Sequence, residues 1–366
     1  MRIAMIGQKG VPATYGGIER HVEEIATRLG ARGHDVSVFC RLHYTPAGAT
    51  LPGVNVLRRP SIHTKHLDTV THVVWSTLES LVRRYDIVHF HALGPSLFAA
   101  VPRLTGARTV VTVHGLDWQR QKWGRFAQWS LKQCEGPAAH FPNRTVVVSK
   151  TLRQHFREHH HCDAVFIPNG TNLPTPRPAR KLHTLGLTPG KYVLFVGRLV
   201  PEKGVHHLCE AFSRIDTDLK LAVVGGLSFS QDYLDQLKRY ESDRIRFLDY
   251  MYGETLEELW SNAYIVVQPS VMEGLSIALL EALSYGRCVL ISDIPENREV
   301  AEECSPMFRS QDVSDLRVQL ERLLADPALV KQYEARARGH IAEHYSWDTV
   351  TADTEAVYLD LLTGGS

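Results

Sequence analysis

Long apolar runs are missing from this chain of 366 residues. Nothing approaches the roughly eighteen consecutive apolar positions of a membrane-spanning helix, and the opening MRIAMIGQKG turns into glycine too soon for a secretory signal. The six cysteines (Cys40, Cys134, Cys162, Cys209, Cys288 and Cys304) form no C-x-x-C pair. That leaves no zinc-site spacing and fits a reducing, cytoplasmic setting. The dinucleotide fingerprint G-x-G-x-x-G is absent, and Arg41 ends the second predicted strand, where a nicotinamide fold wants an acid for the ribose. No segment repeats another residue for residue. Net charge is nearly absent too, at +1, but the balance is not local. Residues 1–170 hold 21 Lys+Arg against 11 Asp+Glu, residues 171–366 hold 20 against 29, and 14 of the 19 histidines lie in the basic half. Such a split fits two packed domains of complementary charge. It equally fits separate partners, with phosphates, nucleic acid or an anionic membrane facing the basic half. The chain carries no nucleic-acid reading motif, and no nucleic-acid partner is expected.

What is present describes an ordinary globular protein, 44% apolar and 22% charged, long enough for two substantial cores. Short Val/Ile/Leu runs alternate with amphipathic helical stretches throughout. Strands are predicted at 2–7, 35–40, 86–90, 109–113 and 145–149, then at 192–197, 219–225, 245–248, 264–268 and 288–292. Continuous apolar strands separated by helices read as parallel sheets covered on both faces. The expected fold class is therefore α/β, with the doubly wound plan run twice. The Pro- and Gly-rich segment 168–190 reads as a linker and domain entry, and 312–362 reads as almost wholly helical.

Two carboxylates, Glu273 and Glu281, flank a segment whose surroundings, LSIALLEALSY, are apolar nearly all round. A helix of that kind is expected to be covered on every side, so Glu281 needs a polar partner, and a ligand hydroxyl is a candidate. If 273–281 were helical throughout, the two acids would stand about 12 Å apart along the axis. An ordinary surface helix should carry more charge. In VGRLVPEKG, Arg198 follows a strand and Lys203 stands five residues on, near a helix start. A guanidinium and an ammonium converging there suit a diphosphate, whereas either alone would be an unremarkable surface charge. Gly16-Gly17 precede a helix and could let backbone N–H groups approach an anion, or simply make a tight turn. His89 and His91 share one side of a strand, and His114 and Asp117 follow the next. A metal held by His89, His91 and His114 is weighed against packed or capping histidines, which are commoner, and no metal is expected. The run EHHHC (158–162) reads as surface, since adjacent histidines on one helix cannot face one ion.

Taken in order, GG-I-E after the first strand, HGLD, IPNG, VGRLVPEKG and EGLSIALLEAL resemble glycosyltransferase family 4, retaining enzymes of the GT-B fold that use nucleotide sugars. The resemblance covers essentially the whole chain, and the last two motifs are its specific part. SDIPENREV (292–300) is similar to a bacterial branch found with capsule and exopolysaccharide synthesis, some of whose members are assigned as rhamnosyltransferases. The resemblance implies two Rossmann-like domains facing across a cleft. One is an acceptor-side domain of residues 1–167 with a returning helix at 347–366, and the other a donor-binding domain of 168–346. It assigns the donor diphosphate to Arg198 and Lys203, and donor-sugar hydroxyls to Glu273 with the backbone amides of Gly274, Leu275 and Ser276. Glu281 takes the ribose diol, His114 lies near the donor sugar, and Gly16 and Gly17 form the loop closing over the phosphates.

The implied reaction keeps the anomeric configuration and uses no metal or other cofactor, the leaving diphosphate taking the acceptor proton. Many relatives carry Gly where this chain has Asp249, in the segment expected to hold the base. UDP- or dTDP-sugars are favoured over GDP-sugars. Acceptors in this branch are glycans or lipid-linked glycans of surface polysaccharides. Basic and aromatic residues mix in 118–133, and RRPSIHTKH (58–66) adds positive charge. Peripheral contact with an anionic membrane at the inner face of the cell is one reading; a core of aromatics with snorkelling cations is the other. The rival functions are a sugar-nucleotide epimerase or phosphorylase on the same fold, and a non-catalytic nucleotide-sugar binder.

Overall fold

The computed structural model describes residues 1–14, 16–64, 67–119, 124–226 and 231–364. The chain divides into two compact units, Met1–Gly170 with Trp347–Ser366, and Thr171–Ser346. The first unit opens with β1 (Arg2–Ile6), α1 (Gly17–Ala31), β2 (Asp35–Arg41), β3 (Val54–Arg59), α2 (Leu67–Arg83), β4 (Ile87–His91) and β5 (Arg108–Val113). It continues through α3 (Arg125–Gln133), α4 (Glu135–His140), β6 (Arg144–Val147), α5 (Lys150–His160) and β7 (Val165–Phe166). Its seven strands lie in the order β3-β2-β1-β4-β5-β6-β7, every pairing parallel. Parallel crossovers keep one hand, so the reversal of direction between β1 and β4 places α1 and α2 on opposite faces of the sheet.

The second unit holds β8 (Tyr192–Val196), α6 (Val205–Ser213), β9 (Lys220–Val224), α7 (Gln231–Lys238), β10 (Ile245–Phe247) and α8 (Gly253–Asn262). It continues with β11 (Ile265–Gln268), α9 (Ile277–Ser284), β12 (Val289–Ser292), α10 (Pro295–Ala301), β13 (Met307–Phe308), α11 (Val313–Ala325) and α12 (Pro327–His344). Its sheet runs β10-β9-β8-β11-β12-β13, again all parallel. The last helix, α13 (Trp347–Thr363), belongs to the first unit. It packs on α1, where Asp348 meets Arg28 at 2.8 Å and Glu355 meets Arg32 at 2.6 Å.

The α/β, twice doubly wound architecture follows from the strands themselves. Ile3 to Ile6, Ile87 to Phe90, Val193 to Phe195 and Leu221 to Val224 are buried runs without alternation, as strands covered on both faces require. Three strands escape the sequence reading, β3, β7 and β13. All are edges of their sheets, where short or half-exposed strands carry no continuous apolar run. The segment 168–190, expected to be a linker and domain entry, holds the boundary between the units at Gly170–Thr171, and most of it is built into the second unit. The N–H groups of Arg180 and Lys181 donate to the buried carboxylate of Glu258 at 2.9 and 2.7 Å, Arg177 N–H donates to Ser261 Oγ, and Leu182 and Leu187 are buried.

Candidate functional site

In the second unit the strand order reverses between β8 and β11, and crevices beyond the carboxyl ends of parallel strands at such a point are where ligands bind. The loops leaving these two strands carry the residues singled out above. Gly197-Arg198 follow β8 and lead to a single 3₁₀ turn at Pro201–Lys203. Gly204 then takes a left-handed φ of 66° against the loop after β11. A Cβ at Gly204 would lie 1.9 Å from the Pro269 carbonyl oxygen, so only glycine permits the approach. The N–H of Val271 donates to the Glu202 carbonyl at 2.9 Å, tying the two loops together.

That closeness brings Lys203 Nζ to 2.5 Å from Glu273 Oε1. Ser270 Oγ donates to the same oxygen at 2.6 Å and Gln268 Nε2 at 3.0 Å. Glu273 Oε2 takes none of these three bonds. Burial alone would raise the Glu273 pKa. The charge and hydrogen bond of Lys203, the Ser270 hydroxyl and the charge of Arg198 together outweigh it and hold the carboxyl below its ordinary range. Arg198, Lys203 and Glu273 thus share one electrostatic neighbourhood. Glu296, in the first turn of α10, is pushed the other way, by burial and then by the charges of Glu273 and Glu299.

The helix after Glu273 differs from expectation in two ways. It starts at Ile277, because Ser276 takes an extended conformation and its hydroxyl caps Leu279 N–H at 3.4 Å. Residues 273–276 are therefore loop, and the continuous 12 Å helical step does not exist. The helix is also not covered on every side. Leu279, Leu280, Ala282 and Leu283 are buried, while Ile277, Ala278 and Glu281 form a partly open face. Glu281 is half-buried on that face, and its charge acts on the hydroxyl of Tyr285. Gly274, Leu275 and Ser276 lead directly into α9, with their backbone at its positive end.

In the first unit, Gly16 and Gly17 start α1, Gly16 at φ 107°. The β1–α1 loop is pinned by two acids of α1: Glu19 accepts from Lys9 N–H and Glu23 from Ala13 N–H, each at 3.1 Å. His114 follows β5, its Nε2 3.3 Å from His91 Nδ1. The set His89, His91 and His114 does not form a ligand group. Both nitrogens of His89 are occupied, by the hydroxyls of Tyr358 at 2.6 Å and Thr112 at 2.7 Å. His21 of α1, missed in the sequence, takes its place: His21, His91 and His114 each bring one ring nitrogen within 4.8 Å of the others. His21 is fixed by Asn169 at 2.9 Å. Burial lowers the His21 pKa to about 4 and that of His89 to about 3, and holds His91 well below 6.5, so these rings are neutral at pH 7.

The EHHHC run closes α5, with Glu158, His159 and His161 exposed as expected and His160 turned inward. His155 and His160 converge on the buried Glu135 at 3.1 and 2.8 Å, and Trp118 Nε1 donates to the same carboxylate. The mixed segment 118–133 divides: Trp118 is tied down under Lys132, 5.0 Å from its ring, while Phe126 and Trp129 are exposed. Arg120, Lys122 and Trp123 lie outside the described residues.

A fold of two parallel α/β units, with cations and an acid gathered where the second sheet reverses, defines a class, the GT-B glycosyltransferases. Residues 15–174 match the family described as glycosyltransferase family 4, and residues 185–340 match glycosyl transferases group 1. The chain belongs to the family 4 type of GT-B glycosyltransferases. Among curated relatives, it is 26% identical to an uncharacterized glycosyltransferase of Methanocaldococcus jannaschii, with 98% of each chain covered. It is 27% identical to the alpha-maltose-1-phosphate synthase of Mycobacterium tuberculosis (98% of this chain, 99% of the relative). To the phosphatidyl-myo-inositol mannosyltransferase of Mycobacterium leprae it is also 27% identical (100% and 98%). Among solved structures, a sucrose-phosphate synthase from Thermosynechococcus elongatus superposes with a TM-score of 0.83 at 22% identity, covering 99% of both chains. Anabaena HepE in complex with UDP-glucose does so at 0.80 and 18%, also over 99% of both.

Proposed function

We propose that this chain moves a hexose-type sugar from a UDP- or dTDP-sugar to a glycan or lipid-linked glycan acceptor of surface polysaccharide synthesis, with retention and without a metal. The observation that carries the reading is the cluster of Lys203, Ser270 and Gln268 around Glu273 Oε1, within the field of Arg198. In this reading the two cations bind the donor diphosphate and neutralise the charge that grows on it as the sugar C1–O bond breaks, the task a divalent ion performs elsewhere. Glu273 Oε2 and the amides of Gly274, Leu275 and Ser276 hold sugar hydroxyls, and Glu281 accepts from the ribose diol. The acceptor oxygen bonds to C1 on the face the diphosphate leaves, and its proton passes to the departing phosphate oxygen. HepE, solved with UDP-glucose, supports a uridine donor by likeness of fold.

Asp249 bears on the base. It adopts a left-handed φ of 48°, a conformation that glycine takes without strain. Thermal melting with a panel of UDP-, dTDP- and GDP-sugars, followed by product analysis on the best responder, tests the reading. A donor that stabilises the chain and transfers its sugar in the presence of a chelator supports it. Epimerised donor without acceptor, or binding without turnover, would favour the rival readings.

A further inference from the structure

The first unit gathers three histidines from three elements. His21 lies on α1, His91 ends β4, and His114 stands just past the end of β5. The two strands are neighbours in the sheet, with His91 in register with Thr112, so their ends deliver His91 and His114 side by side. Helix α1 lays His21 across them. Its ring centroid is 4.7 Å from that of His114 and 5.6 Å from that of His91, and the last two are also 5.6 Å apart. Three imidazoles sharing one zinc ion at about 2.0–2.1 Å would place their centroids about 5.2 Å apart. The triangle is already of that size. One nitrogen from each ring lies within 4.8 Å of the others. The separation of His91 Nδ1 and His114 Nε2, 3.3 Å, matches the nitrogen–nitrogen edge of a tetrahedral site.

Hydrogen bonding leaves the cluster incomplete. Asn169 Oδ1 only accepts, so at 2.9 Å it holds the proton on His21 Nδ1, and the lone pair falls on Nε2. That is the arrangement of a metal-ligating histidine, whose other nitrogen donates to a fixed oxygen. Neither His21 Nε2 nor His91 Nε2 has a hydrogen-bond partner among the described residues, although both rings are buried. A cluster of merely packed histidines would meet such nitrogens. Burial keeps His21 and His91 neutral at pH 7, so their lone pairs are available without loss of a proton, and neutral rings hold no attraction for an anion. The other histidine group, Glu135 with His155 and His160, lacks this signature. There the Nε2 of each histidine already bonds the carboxylate, at 3.1 and 2.8 Å.

We propose that His21, His91 and His114 bind a zinc ion, with His21 Nε2 as one ligand, and that the ion pins α1 to the ends of β4 and β5. Three nitrogens and no carboxylate suit zinc over magnesium or calcium, which take oxygen ligands. A fourth position is left for water. The ion ties three elements together and takes no part in sugar transfer. Arg198 and Lys203, in the second unit, keep the charge-neutralising task assigned to them above, and transfer in the presence of a chelator remains the expectation.

Zinc titration of the full chain, made without a histidine tag and stripped with a chelator, tests the proposal. One zinc ion per chain should bind in the micromolar range or tighter and raise the melting temperature by several degrees. Magnesium and calcium at the same concentration should leave it unchanged. Cobalt(II) in place of zinc should give the strong visible bands of a four-coordinate site. His114→Gln, the mildest ligand change because this ring is only half-buried, should weaken zinc binding at least about tenfold. Asn169→Ala should do the same by releasing the orientation of His21, while His155→Gln/His160→Gln should bind zinc as the native chain does. Circular dichroism without zinc checks that each variant is folded. A melting temperature indifferent to zinc overturns the inference. So does zinc binding unchanged by both His114→Gln and Asn169→Ala, or binding lost with His155→Gln/His160→Gln. None of these measurements uses a nucleotide, so their outcome is separate from that of the donor reading.

Discussion

Lys203 and Glu273 are both largely buried, at 14% and 9% side-chain exposure, so each is the other's main compensation. Lys203→Ala or Glu273→Ala should lower stability by about 2–4 kcal/mol, because a buried charge is left without its partner, and should cut turnover by roughly 10²–10³-fold. Urea melts and initial rates measure the two separately, and the double variant should cost less stability than the sum of the singles. Since the Glu273 pKa is depressed, its contribution is present above the ordinary carboxylate range and is lost as pH falls through its folded value. At Asp249, replacement by Ala should cost about 1 kcal/mol for the left-handed backbone, while Gly should stay within about 0.5 kcal/mol. Arg198, Lys203 and Glu273 were legible because motif spacing fixes them at the ends of strands. Gln268 and Ser270 were not, since a polar residue closing an apolar strand looks like an interruption until its hydrogen bonds are seen. His21 joins the first unit's histidines through helix packing across 70 and 93 residues of chain, which no local spacing encodes.

At the level of elements, capping separates structure from function. Asp312 caps α11 through Asp315 N–H at 2.9 Å, far in sequence from any site residue. Asp312→Ala should lose about 1 kcal/mol of stability and leave donor binding unchanged. Ser276→Ala should lose a similar amount at α9 and also weaken donor affinity, because the same hydroxyl accepts from Gln268 at 3.0 Å. Chemical denaturation with parallel nucleotide titrations checks both. The central strands and the long C-terminal helices were readable from periodicity alone. The edge strands β3, β7 and β13 were not, being short or half-covered. In α2, Ser76, Thr77 and Ser80 are buried while Trp75, Leu78 and Val82 are exposed; periodicity reports that a helix has two faces, and only its packing shows which one is turned inward.

For the molecule as a whole, the buried histidines set a pH response. His21, His72 and His89 have folded pKa values of about 4, 4 and 3, lowered by burial foremost and, for His72, by Arg41 next. Their unfolded value near 6.5 is higher, so the unfolded state binds more protons as pH falls through 6.5 toward 4, and stability is lost over that window. Each ring should cost on the order of 2 kcal/mol by pH 5. His72→Leu should therefore gain more stability relative to the native chain at pH 5 than at pH 8, and equal gains would refute the protonation account. The charge division by halves was visible in the sequence. Its division by units is milder, 21 Lys+Arg against 15 Asp+Glu in the first unit, since the acids of α13 return to the basic unit.

The central claim is that Arg198 and Lys203 grip the diphosphate of a nucleotide sugar. Its most direct measurement is the melting temperature of the native chain and of Arg198→Ala/Lys203→Ala against UDP, dTDP and GDP. A uridine or thymidine diphosphate should raise the melting temperature of the native chain by several degrees through selective binding to the folded form, and the double variant should show no rise. A native chain indifferent to all three nucleotides, or a double variant that responds equally, would contradict the account.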